Sequence, residues 1–190
     1  MSAARPREGA VHRSPQDENI TAGKEERTRL AQVEDLLALE DRLLRERQFR
    51  QWLALFTHDG AYWIPVSPAQ TNALLAPSHI YEVRPALDAR VERLYDARVL
   101  PQLPLSRVSR MRGRPWITAS QPDAMEIMSP FQIVEARHIP DDQEEFRIFA
   151  GECVYHLVSD IDAPCGWRIR LKRVDLINSE SAFFGVSILI

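Results

Sequence analysis

Side chains able to do metal, nucleophilic or acid–base chemistry are thinly spread along this chain: His12, His58, His79, His138 and His156, with Cys153 and Cys165. No two histidines stand four apart, the spacing that sets two ligands on one helical face, and there is no C-x-x-C pair. G-x-S-x-G and a glycine-rich phosphate loop are also missing, and seven glycines leave few backbone cradles for phosphate. If the long hairpin of the second half pairs residues whose numbers sum to about 283, His138 faces Glu145 and His156 faces Ile127 or Met128, too far apart to share a metal. One constellation could supply a general base: Asp59, Tyr62 and Trp63 entering a strand, with Tyr81 and His156 as further pocket lining. Inside a closed cavity an Asp or His can carry a shifted pKa. The plainer assignment makes Asp59 a turn former and the aromatics core.

Arg107, Arg110, Arg112 and Arg114 form the densest basic cluster, and on a strand the last three share a face. The whole chain has 24 basic and 27 acidic residues, a net charge of −3, so this cluster suits a protein contact or plain solvation better than a phosphate backbone. At 190 residues, with 45% apolar content, one domain with its own core is expected. Two cysteines make no disulfide framework and read as reduced thiols. No run approaches the roughly 20 apolar residues that span a bilayer, and no secretory leader is visible, which places the protein in the cytoplasm.

The elements that must position these groups follow from periodicity. Residues 1–25 are polar and read as a disordered tail, leaving 26–190 as a single domain. From Glu26 to Phe56 apolar residues recur at helical spacing, predicting a long and a short helix that break near Arg47 or Gln48. His58-Asp59-Gly60 signals a stop, 61–66 a strand, 67–79 a loop, and Pro85 the start of a third helix. Beyond Leu105 the period becomes two. Residues 146–158 read as a strand covered on both sides for most of its length. In 167–177 the apolar face switches from Trp167, Ile169 and Leu171 to Val174 and Leu176, as a bulge or bend produces, leaving Lys172 with Arg168 and Arg170 on the polar face. Turn formers at 140–143 and 160–166 join these strands as antiparallel neighbours, and a last strand carries Phe184, Val186, Ile188 and Ile190. Helices first and a meander after is an α+β pattern: helices packed on one face of a strongly curved, mainly antiparallel sheet.

The run from Leu43 to Pro65, with Phe49-Arg50-Gln51-Trp52-Leu53-Ala54-Leu55-Phe56 and Asp59-Gly60-Ala61-Tyr62-Trp63-Ile64-Pro65, resembles the N-terminal signature of the small, or β, subunits of aromatic-ring-hydroxylating dioxygenases. So do His79-Ile80-Tyr81-Glu82-Val83, then Leu87 to Leu94, then Pro104-Leu105-Ser106-Arg107, and the closing Gly185-Val186-Ser187-Ile188-Leu189. The chain departs from the family after Arg107, where Arg110 to Trp116 replace a short apolar stretch, and in the loop at 67–78, which lacks the usual basic residues.

The resemblance implies a cystatin-like cone, the α+β fold of nuclear transport factor two, scytalone dehydratase and ketosteroid isomerase. It implies a non-catalytic β subunit with no cofactor or metal of its own. The partner would be a large α subunit carrying a Rieske [2Fe-2S] cluster and a non-haem iron, with the β chains forming a trimer within an assembly of three α and three β chains. The residues agree with that division, because neither the two Cys and two His of a Rieske centre nor two His and a carboxylate with open positions stand out here. Arg107, Arg110, Arg112, Arg114 and Trp116 become the expected subunit interface. A stand-alone dehydratase, isomerase or hydrolase of the same cone, using Asp59, Tyr62, Tyr81 or His156 on a small apolar substrate, is the alternative, and it rests on fold analogy alone. An open polar cavity would favour that alternative, and a packed one the subunit.

Overall fold

The structure, a computed structural model, describes residues 15–96, 105–139, 143–180 and 188–190. Helix α1 (Pro15–Arg45) is rich in Ala, Leu, Glu and Arg, which are good helix formers. Val33, Leu36, Leu37, Glu40, Leu43 and Leu44 fall at three- and four-residue spacing and are buried, so one stripe faces the core. The helix begins eleven residues ahead of Glu26, so part of the expected tail is helical. Its exposed residues Lys24 to Glu26 gain backbone hydrogen bonds there without entering the core. Residues 1–14 of that tail lie outside the described residues.

The break falls where the sequence places it. Gln48 N–H bonds Leu43 O at 2.8 Å and Arg47 N–H bonds Leu44 O at 3.3 Å, a Schellman closure with Arg47 in the left-handed region at φ 57°. Helix α2 (Phe49–Leu53) then buries Phe49, Trp52 and Leu53. Helix α3 (Arg84–Tyr95) starts with Pro85 in its first turn and buries Leu87 and Val91.

Among the described residues seven strands form one mixed sheet: β1 (Phe56–Pro65), β2 (Ser78–Val83), β3 (Arg107–Arg112), β4 (Trp116–Ser120), β5 (Ala124–Ile139), β6 (Gln143–Ser159) and β7 (Trp167–Leu176). Their order is β2-β1-β7-β6-β5-β3, and β4 also pairs with β5. All pairings are antiparallel except β1 with β7, which is parallel. The exception arises because β1 comes before the helical excursion and joins the meander at its far edge.

Four local expectations change. His58-Asp59-Gly60 does not precede the first strand but lies within it: the ladder to β7 steps from Phe56↔Ile169 to Ala61↔Leu171, leaving these residues as a bulge. The β5–β6 register is one residue off the expected one, with Ser129 opposite Cys153, so His138 faces Glu144 and His156 faces Glu126. A one-residue slip is enough to exchange faces, which is why the histidine neighbours differ. Ile188 to Ile190 lie in no strand, although Leu189 and Ile190 are buried, while Phe184 and Val186 fall outside the described residues. Strand β6 is covered on one side only over its first half, for Phe149, Cys153, Tyr155 and Leu157 are buried but Phe146 and Ile148 are 64% and 60% exposed.

Candidate functional site: a plugged cone and an apolar outer face

The concave side of the sheet and the apolar stripe of α1 enclose a core that includes Leu36, Leu37, Trp52, Phe56, Tyr62, Ile127, Phe149 and Tyr155. At its centre stands a charged cluster. The Glu40 carboxylate accepts from Lys172 Nζ at 2.7 Å and Trp52 Nε1 at 2.9 Å on one oxygen, and from Tyr155 OH at 2.6 Å and Arg112 Nη2 at 3.1 Å on the other. Arg112 also clamps Asp41 with Nε at 2.9 Å and Nη2 at 2.8 Å, and donates from Nη1 to Tyr155 OH at 2.8 Å. Two carboxylates against two cations leave the cluster neutral, and Glu40 spends both oxygens on partners, which is what makes ionised groups tolerable at zero exposure.

Burial pushes the Glu40 carboxyl up. The charges of Lys172 and Arg112, with hydrogen bonds from Lys172 and Tyr155, more than reverse this and hold it at about 2. Burial raises the Tyr155 hydroxyl well above its ordinary range, Arg112 opposing and Glu40 adding to the effect. The Cys153 thiol is likewise raised by burial, so it is a poor nucleophile. The void left in this region, between Arg112, Phe131, Cys153 and Ile190, measures about 10 Å³. That is the lower limit for a single water and admits no substrate.

The expected acid–base constellation is not assembled in one place. Tyr62 is fully buried, its hydroxyl accepting from Ile190 N–H at 3.2 Å, and burial raises its pKa. Tyr81 lies 38% exposed on the opposite, convex face beside Trp63. Only Asp59 and His156 come together, along an open groove at the end of the sheet. There His156 Nε2 is 3.1 Å from Glu126, and Asp59 is 3.7 Å from Arg170, its carboxyl held below the ordinary range chiefly by the Thr57 hydroxyl. The Thr118 hydroxyl donates to Glu126 Oε1 at 2.7 Å while His156 faces Oε2, so both oxygens of this carboxylate are already engaged. Among the described residues no group of three or more His, Cys, Asp or Glu could hold a metal ion, and the donor set fits neither a Rieske cluster nor a mononuclear iron.

The expected arginine face is split by the strand. Arg110 and Arg112 point into the cone, Arg112 with 12% of its side chain exposed, whereas Arg107 faces out and binds Glu144. Arg114 lies past the end of β3, 80% exposed and 3.6 Å from Glu34, and Trp116 is 42% exposed. Alternation in β3 therefore divides the cluster, and only its two ends with Trp116 face solvent.

The convex face carries the feature that sequence reading did not assemble. Direct partners across the ladder put Tyr81, Trp63, Arg173, Val154, Met128 and Trp116 in one row over six strands. Arg173 lies 4.5 Å from the centre of the Trp63 ring. Phe146 and Ile148 extend the apolar surface along β6, and Met111 on β3 is 62% exposed. Trp63 itself is only 5% exposed, so the apolar surface left to solvent on this face is that of Tyr81, Met111, Trp116, Phe146 and Ile148.

Residues 39–181 match the family described as the ring hydroxylating beta subunit. The chain belongs to that family. It is 32% identical over 103 residues to the small oxygenase component of the p-cumate 2,3-dioxygenase system of Pseudomonas putida, a match spanning 53% of this chain and 57% of that relative. The chain thus spans a little over half the length of that curated relative. In fold it is similar to the β subunit of benzoate 1,2-dioxygenase from Burkholderia mallei, with a TM-score of 0.62, 22% identity, and coverage of 80% of this chain and 93% of that one. It is similar too to a scytalone dehydratase-type protein of Novosphingobium aromaticivorans, with a TM-score of 0.55, 12% identity, and coverage of 85% and 87%. The α+β cone expected from the sequence is therefore the fold of this ring-hydroxylating β subunit. No described helix is long and apolar enough to cross a membrane.

Proposed function

We propose that this chain is the non-catalytic small subunit of an oxygenase that adds dioxygen to an aromatic ring, and that its work is assembly. The observation that carries this is the interior of the cone. Where an enzyme of this shape would need an open polar cavity, Glu40, Lys172, Arg112 and Tyr155 fill the space and use one another's hydrogen bonds. Chemistry inside the cone would require breaking a buried ionic cluster, whereas assembly asks only for a stiff platform and an adhesive outer face. The redox groups belong, on this proposal, to a large α subunit, and a cytoplasmic assembly of three α and three β chains is the expected arrangement. Arg107, Arg114 and Trp116 remain as contact residues on the exposed side, joined by Phe146 and Ile148.

The test is co-expression with the product of the gene beside it, followed by purification through a tag on this chain. Recovery of a larger, iron-containing assembly is expected. A lone monomer that never joins an iron protein, or turnover of a small molecule by the pure chain that Asp59→Asn abolishes, overturns the proposal.

A further inference from the structure

A second, separate cleft opens at the wide end of the cone, where the end of α1, helices α2 and α3, strand β3 and the segment Ile188–Leu189 meet. Its volume is about 210 Å³. Five arginines are among its lining residues, Arg45, Arg47, Arg107, Arg110 and Arg137, and the described lining includes no carboxylate. Arg107 is paired to Glu144 outside the cleft, and among the described residues no ion pair reaches the other four. Arg110 is the most telling of them. Its Nη2 donates to the Leu189 carbonyl, but its Nε is buried without a hydrogen-bond partner among the described residues. Burial lowers the Arg110 pKa, and the two acidic groups whose fields reach it, Asp41 and Glu40, are already engaged by Arg112 and Lys172. A buried donor left unmade costs its full desolvation, so the site is incomplete as it stands.

The rest of the wall is apolar, with Phe49, Leu94, Val108 and Leu189 among its members. We propose that this cleft is a binding site for a small organic monocarboxylate with an apolar body of about one ring. The carboxylate would take the unused guanidinium donors, for which planar, two-pronged recognition is the natural geometry, and the ring would cover the leucines and Phe49. Size sets the upper limit: the volume lies below the roughly 300 Å³ at which ordinary ligand pockets begin. Free phosphate matches the charge but leaves the apolar half of the wall wet. The site does not depend on the assembly role, since it lies at the mouth of the cone and not on the convex sheet face.

The experiment is calorimetric titration of the full 190-residue chain with benzoate, with its neutral analogue benzamide and with inorganic phosphate. Arg47→Gly is the informative variant. It removes a cleft guanidinium at a position whose φ of 57° favours glycine, so loss of binding there is not loss of fold. Benzoate is expected to bind with a Kd tighter than about 1 mM, and Arg47→Gly and Arg137→Ala each to weaken it about tenfold, as losing one charge-assisted hydrogen bond does. Arg114→Ala, which deletes the same charge outside the cleft, is expected to leave the affinity unchanged. No benzoate binding, equal binding of benzamide, phosphate binding as tight as benzoate, or indifference to both cleft variants overturns the proposal.

Discussion

Lys172 Nζ sits 2.7 Å from Glu40 Oε1 with both side chains at 0% exposure, so an ion pair between β7 and α1 spans the core of the cone. The pair locks helix to sheet at a place where apolar packing alone would leave their relative position adjustable. Trp52 from α2 and Tyr155 from β6 join the same carboxylate, which ties four elements to one residue. Such a cluster adds little net stability over a well-packed apolar core, but losing one member strands the rest.

Glu40→Gln is therefore expected to cost about 3–5 kcal/mol in urea unfolding, because Lys172 is left charged and buried. Adding Lys172→Met to Glu40→Gln should recover part of this, with a coupling of about 2 kcal/mol across the double-mutant cycle. Additive losses would show that the two groups do not act as a pair.

The same carboxylate makes stability fall in acid. Its pKa is about 2 in the folded chain against an ordinary 4.5, a depressed value, so the contribution is complete above 4.5 and is lost as pH falls towards 2. That gap is worth about 3 kcal/mol. Urea midpoints measured from pH 6 to pH 3 should decline in the parent chain, and more shallowly in Glu40→Gln. Parallel declines would assign the acid sensitivity to other carboxylates.

Gly151 marks a close approach of two strands. It lies opposite Leu176, and a Cβ there would stand 1.9 Å from the Asp175 carbonyl oxygen, a backbone atom that cannot swing aside. Gly151→Ala should cost about 3 kcal/mol, at the upper end of overpacking effects, and lower the thermal midpoint accordingly. A variant as stable as the parent would mean that β6 and β7 separate easily here, and that the sheet's bend does not need the contact.

How much of this was legible beforehand depends on which residues one follows. The break at Arg47, the start of α3 at Pro85 and the face switch in β7 were readable because local hydrogen bonding and period decide them. The ionic cluster was not. Lys172 alternates with Arg168 and Arg170 in sequence, and only the bulge between His156 and Leu157 brings it onto the inner face. The signal that could have exposed it is Glu40, a lone carboxylate within the apolar stripe of α1 between Leu37 and Leu44, together with the Val174 and Leu176 phase carried back two residues. The row from Tyr81 to Trp116 was illegible for a different reason. It is assembled from six strands, and its members become neighbours only through registers that pairing across the whole sheet decides.

The convex face supplies the last prediction. Phe146 and Ile148 are 64% and 60% exposed on β6, each opposite a residue of β5, and neither touches the ionic cluster. Changing Ile148 to Asp removes apolar surface already in water, so the folded chain should lose no more than about 0.5 kcal/mol by urea unfolding. At the centre of a subunit contact the same change buries an unpaired charge and should reduce recovery of the large subunit in co-purification at least tenfold. Ile161→Asp, at 95% exposure in the turn after β6, serves as the control for a new surface charge. If Ile148→Asp and Ile161→Asp co-purify equally well, the β6 face is not the contact, and the opposite edge at β2 becomes the place to look.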